Sequence, residues 1–197
     1  MNSFFPKASL ILIIVLSALT PATTWANDTP APIGIGLVES AQYPDVDSDI
    51  MGLRFSFLYG RNANVSGLDM GLVGCGVDGN LFGYQMSLIV NNIGSSSGAL
   101  QMACFVNNCI EDFYGVQMAV VANMTDGDVY GGQLALFDVA NTMSGIQLGI
   151  YNQAETAIGI QLGLINVATD MKGIQLGLLN VIKNGPCPFL PILNANF

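Results

Sequence analysis

The feature that most constrains this chain is an internal repeat. Aligned on a Gly-apolar-Gln start, rows begin at Gly52, Gly67, Gly83, Ala99, Gly115, Gly131, Gly145, Gly159 and Gly173, with steps of 15, then 16 four times, then 14 three times. The last rows are nearly identical: Gly145-Ile-Gln-Leu-Gly-Ile-Tyr-Asn152, Gly159-Ile-Gln-Leu-Gly-Leu-Ile-Asn166 and Gly173-Ile-Gln-Leu-Gly-Leu-Leu-Asn180. Within a row, residues alternate with period two, the mark of a strand whose successive side chains point to opposite faces. Positions two, four and six are large and apolar almost throughout, Cys104 and Gly132 excepted. Position three is glutamine from Gln85 to Gln175, with Arg54 and Asp69 in the first two rows, and position five is small in all nine. Turn-formers such as Asp78-Gly79-Asn80, Ser95-Ser96-Ser97 and Asp126-Gly127-Asp128 separate the rows. Asparagine closes the strand at Asn91, Asn107, Asn123, Asn152, Asn166 and Asn180.

An all-β chain with this pattern is expected to form a β-solenoid of about nine coils of 14 to 16 residues. Positions two, four and six of successive coils then stack into a continuous core, and the asparagines form a ladder at one corner. The alternative is an antiparallel outer-membrane-type β-barrel, one row per strand, with the apolar positions facing lipid and glutamine and glycine facing the lumen. The final Phe197 suits that alternative. The solenoid is preferred because the connectors are all alike and the aromatics form no girdles, and because a repeated asparagine gains a physical role only when equivalent residues stack in parallel.

The ends differ from the repeats. Residues 1 to 26 read as a cleavable secretory signal: Lys7, an apolar run from Leu10 to Leu19, and Thr24-Trp25-Ala26 as a small-x-small cleavage site. Residues 27 to 50 read as a linker with one short strand from Ile33 to Val38, and residues 51 to 183 as the repeat domain. In the C-terminal cap, 184 to 197, Pro186, Pro188 and Pro191 interrupt the ladder, leaving Phe189, Leu190, Ile192 and Leu193 to cover the open end of the core.

Composition narrows function. Setting Lys7 aside with the leader leaves 4 basic against 14 acidic residues, a formal charge of −10, which repels nucleic acid phosphates and anionic lipid surfaces. The chain has no histidine, the commonest metal ligand and general base. Export would allow Cys75, Cys104, Cys109 and Cys187 to oxidise, but their spacing fixes no pairing and fits no zinc pattern.

Each candidate site has a plainer reading. Glu111-Asp112 could supply the acid and base of a glycosidase, yet it reads better as a solvated acidic turn. Asp126-Gly127-Asp128 with Asp78 or Asp170 could offer oxygens to calcium, but the glycine-rich nonapeptide of calcium-binding solenoids is absent. The glutamine column could present a flat array to a polysaccharide; a hydrogen-bonded ladder supporting the stack is the better expectation. Position seven, apolar in all nine rows from Leu58 to Leu179, either forms an exposed stripe or, as preferred, turns into the core.

Over about residues 51 to 197 the chain resembles bacterial exported surface-repeat proteins built of Gly-x-Gln-Leu-Gly-Leu-x-Asn units. The leading Gly52-Leu-Arg-Phe-Ser-Phe-Leu-Tyr-Gly-Arg-Asn62, the repeats and Pro188-Phe-Leu-Pro-Ile-Leu-Asn194 carry the likeness. The resemblance implies an envelope or surface location and nothing catalytic. The chain departs from the unit at Ala99 and Gly132, so irregular middle rungs are expected. The combined expectation is an exported, non-catalytic protein of the periplasm, outer membrane or cell surface. It would use no cofactor or metal and act structurally or on an envelope partner through its β surface, membrane association being compatible with that. A small barrel acting as pore or anchor is the alternative.

Overall fold

The computed structural model describes residues 29–197; the expected leader, residues 1 to 26, lies outside them. Every regular element in that range is a strand: β1 (Ala31–Val38), β2 (Ala41–Tyr43), β3 (Ile50–Ser56), β4 (Tyr59–Asn62), β5 (Val65–Gly71), β6 (Gly74–Val77), β7 (Leu81–Ser87) and β8 (Val90–Ile93). The series continues with β9 (Ser97–Ala103), β10 (Val106–Cys109), β11 (Phe113–Ala119), β12 (Ala122–Leu134), β13 (Phe137–Leu148), β14 (Tyr151–Leu162), β15 (Ile165–Ile182) and β16 (Phe189–Asn196).

Each row is one coil of a stack of parallel rungs, and the chain is a β-solenoid. The Gly-x-Gln segments pair in parallel, one row per rung, as in Gln85↔Gln101↔Gln117↔Gln133↔Gln147↔Gln161↔Gln175. The shorter asparagine segments form a second wall, β4-β6-β8-β10-β12. Parallel pairing of consecutive rows excludes the antiparallel barrel kept as the alternative, whose neighbouring strands must alternate in direction.

Which side of the alternation lies inside is the reverse of the expected arrangement. Positions three and five point inward and positions two, four and six point out: Gln85 to Gln147 are fully buried, whereas Leu53, Phe57, Leu72, Leu88, Val120 and Leu164 are all more than 40% exposed. The inward set is the one whose polar side chains can pair from rung to rung and whose small residues let the walls approach. Around it the interior holds an apolar column from each wall: Ile50, Val65, Leu81, Phe113, Val129, Met143 and Met171 in the first, and Val77, Ile93, Cys109, Ala140, Ala154, Ala168 and Ile182 in the second.

The first glycine of each row is conformationally required. Gly52, Gly67, Gly83, Gly115, Gly131, Gly145, Gly159 and Gly173 have φ between +124° and +148°. From Gly67 on, a Cβ on any of these would strike the carbonyl oxygen of the equivalent residue one coil earlier. Ala99 replaces this glycine and Gly132 replaces an apolar residue, yet both rows keep unbroken register with their neighbours, so the irregularity expected there is not found. It occurs instead where coil length changes from 16 to 14. Ala122 pairs with Phe137 but Asp128 with Thr142, so one residue is lost at each of the two corners and the inward and outward sets keep their places.

That change also splits position seven. Leu58, Ile89 and Phe105 round the corner before the second wall begins and are exposed, while Phe137, Tyr151 and Ile165 align with its first residues. None of them enters the core, contrary to expectation, because the second wall turns its next residue inward: the asparagine.

Both ends are closed by strand pairing. The short strand expected within the 27 to 50 linker, Ile33 to Val38, lies in β1, which pairs in parallel with β3 as an additional rung, and β2 folds back antiparallel on β1. At the other end β16 pairs antiparallel with β15. The apolar tail residues do not cover the core; Phe189, Leu190, Ile192 and Leu193 stay exposed, and it is Asn194, paired with Gln175, that is buried.

Candidate functional site

Two polar ladders back the outer face. In the first, each glutamine Nε2 donates to the Oε1 of the previous row, from Gln175 through Gln161, Gln147, Gln133, Gln117 and Gln101 to Gln85, at 2.7 to 3.0 Å. Gln85 donates to Asp69 Oδ2 at 2.9 Å, and Arg54 closes the series with two hydrogen bonds to the same carboxylate, at 2.7 and 2.6 Å. All the donors point toward the Arg54 end, so the terminal acceptor is a full anion paired with a buried guanidinium. The glutamine column is therefore the supporting ladder and not a surface array.

The asparagine ladder runs the other way. Asn91 donates to Asn107, Asn107 to Asn123 and Asn123 to Asp138, and a second run passes from Asn152 through Asn166 to Asn180. Asp138 separates the runs. Its Oδ2 and Asn152 Oδ1 both lie against Gly149, 3.1 and 2.9 Å from where a Cβ would stand, and Asn152 Oδ1 has no donor among the described residues. Burial pushes the Asp138 carboxyl up to about 6, against the hydrogen bonds from Asn123 and the Ala135 N–H that favour its charged form.

The outer face carried by these ladders is the site. Positions two, four and six of nine rows contain no charged residue. Ile33 and Ile35 of β1 extend the face at one end and Leu193 of β16 at the other, so it spans eleven strands. Along position four run Met70, Met86, Met102 and Met118 in register. Beside them lies a shallow trough of about 570 Å³, bordered by Met102, Cys104, Met118, Val120, Leu134 and Leu136. Contiguous apolar surface of this extent is rare on a monomer and marks a contact surface.

The two corners that border the face are opposite in character. One is apolar in every row, for example Leu72, Ile89, Phe105 and Leu136. The other holds Asp78, Glu111, Asp112, Asp126, Asp128, Glu155 and Asp170.

The sequence-predicted polar candidates all fall on that acidic corner. Glu111 accepts hydrogen bonds from the Ser95 and Ser96 hydroxyls, and Asp112 accepts from the Asp128 N–H, so both carboxylates tie adjacent coils together. Asp128 stands three rungs from Asp170, through Thr142 and Thr156, so the calcium set is not assembled. All four cysteines are free: Cys75 and Cys109 are buried, Cys104 and Cys187 exposed. Burial raises both buried thiols, Cys109 to about 11, away from the reactive thiolate.

No family model, curated protein or solved structure matches this chain.

What the residue pattern failed to flag is the face itself. Its signal was present: in most rows Gly at position one, Gln at three and a small residue at five share one side, a set whose amides can pair from row to row.

Proposed function

We propose that this chain is an exported, non-catalytic repeat protein of a bacterial cell envelope, acting through its extended β surface as a binding or structural element. The observation that carries the reading is the eleven-strand outer face, uncharged at every position two, four and six, on a molecule whose polar side chains are spent on internal ladders. Supporting it are the secretory-type leader, the likeness to exported surface-repeat proteins, and the structural employment of Glu111 and Asp112, the carboxylate pair most suited to acid and base work.

Fractionation of the producing cell tests this. The expected result is recovery in the envelope fraction with residues 1 to 26 removed, and release by carbonate without detergent. Retention in the cytoplasm with an intact leader would overturn export. A hydrolytic activity abolished by Glu111→Gln or Asp112→Asn would overturn the non-catalytic reading.

A further inference from the structure

Resting on that reading of the face, we propose that its occupant is a second copy of this chain, packed sheet against sheet in a twofold dimer. Size comes first. Eleven rungs at about 4.8 Å and five residues of strand at about 3.3 Å give a face on the order of 48 by 17 Å. Two such faces bury roughly 1,600 Å² in total, the extent typical of a stable specific pair.

The ends of the rod argue next. β2 and β16 run antiparallel at the two ends, so the parallel register of the coils does not continue past them, whereas the lateral face is uninterrupted along the stack. A closed twofold contact also uses that surface completely, because the same patch serves both copies.

Charge selects the arrangement. A twofold axis parallel to the rod places each acidic corner over the partner's apolar corner, so the two sets of carboxylates lie on opposite sides of the dimer. An axis across the rod would bring them to the same side. In the favoured arrangement position four of one copy meets position four of the other, so the Met70, Met86, Met102 and Met118 column faces its equivalent. Methionine is suited to such self-contact because its unbranched side chain adapts to the surface it meets. A lipid surface is less well matched. Among the described residues only Lys172 and Lys183 bring positive charge to the border of the face, against seven acids at one corner, which is too little to engage anionic headgroups, and the chain's only tryptophan is Trp25, within the expected leader.

The test is sedimentation equilibrium on the protein purified from its producing cell without detergent, combined with maleimide labelling. Cys104 lies on the face and Cys187 in the tail, and both are exposed in the single chain. The expected result is twice the monomer mass and labelling of Cys104 at least tenfold slower than of Cys187. The Val120→Glu/Ile146→Glu variant, whose side chains both point outward, should be monomeric with an unchanged β circular dichroism spectrum and comparable labelling at the two cysteines. A monomeric wild type with equal labelling overturns the dimer, as does a dimer that survives both glutamates. A wild-type monomer that binds phosphatidylcholine vesicles also overturns it, with lipid as the occupant. The underlying reading is separable: if the wild type is monomeric but the glutamates release the protein from the envelope fraction, the face still binds something else. If they alter neither mass nor location, both readings fall.

Discussion

The glutamine and asparagine ladders are built from the same chemistry and end differently. The glutamine column is continuous over seven rows and terminates on Asp69, whose charge Arg54 balances. The asparagine column ends its first run on Asp138, whose carboxylate accepts from Asn123 and the Ala135 N–H, and Asn152 Oδ1, at the start of the second run, has no donor among the described residues. The glutamine run and the first asparagine run each pass their donors toward a carboxylate, one neutralised by a buried guanidinium and one not, while amide oxygens at the opposite ends, Gln175 Oε1 and Asn91 Oδ1, have no donor among the described residues.

The largest break in the comparison should come at the ion pair. Arg54→Met leaves Asp69 buried and unpaired and should cost about 3–5 kcal/mol in urea unfolding. Replacing both members by glutamine, Arg54→Gln with Asp69→Gln, should recover most of that by extending the ladder. If the double variant is no better than the single one, the ladder does not accept an amide terminus.

An interior link comes second. Gln133→Ala leaves the Gln117 acceptor with the Thr125 hydroxyl alone and the Gln147 amide with the Gln153 carbonyl alone, and opens a void, at about 2–4 kcal/mol. Hydrogen exchange should show the loss concentrated in the adjoining coils, since each coil contacts only its neighbours.

Asp138→Asn sharpens the contrast in the opposite direction. Because the folded-state pKa is raised to about 6 from an ordinary 3.8, the native state binds this proton more tightly than the unfolded chain. Wild-type stability should therefore fall as pH rises from about 4 through 6, and the penalty should be complete above that. The asparagine variant, with an uncharged donor in place, should gain roughly 1–3 kcal/mol at pH 7.5 and nothing at pH 4. Equal melting temperatures for the two proteins at pH 7.5 would show that Asp138 is already accommodated as an anion.

The smallest effect is expected where an amide ladder lies in water. Asn184 donates to Asp170 at an exposed corner, and Asn184→Ala should change stability by less than about 0.5 kcal/mol. A larger loss in thermal melts would mean that burial is not what separates these ladders from the inner ones.

Much of this was legible in the residues. The period gave the coil, the recurring glutamines gave the inner ladder, and the asparagines gave the corner that turns inward. The direction of the alternation was not, because period two separates two faces without saying which is enclosed, and the usual rule of apolar inside leaves out a polar column that satisfies itself by bonding from rung to rung. Position seven misled for a different reason. Equal counting from the row start hid the residue removed at the first corner of the 14-residue rows, so Phe137 and Tyr151 were aligned with corner residues although they begin the second wall. The tail misled because strand pairing, rather than a hydrophobic plug, closes the end.

The way coil length changes, with one residue withdrawn at the corner between Met118 and Ala122 and one at the corner between Thr125 and Asp128, has an implication for how such a gene can vary. A single codon inserted within a strand would turn every later outward residue of that wall inward and expel the amides into solvent. Codons gained or lost at the corners, or whole coils duplicated, leave each side chain on its own side. Drift in a lineage of this chain should therefore accumulate as changes in coil number and corner length, with the strand segments nearly free of insertions and deletions.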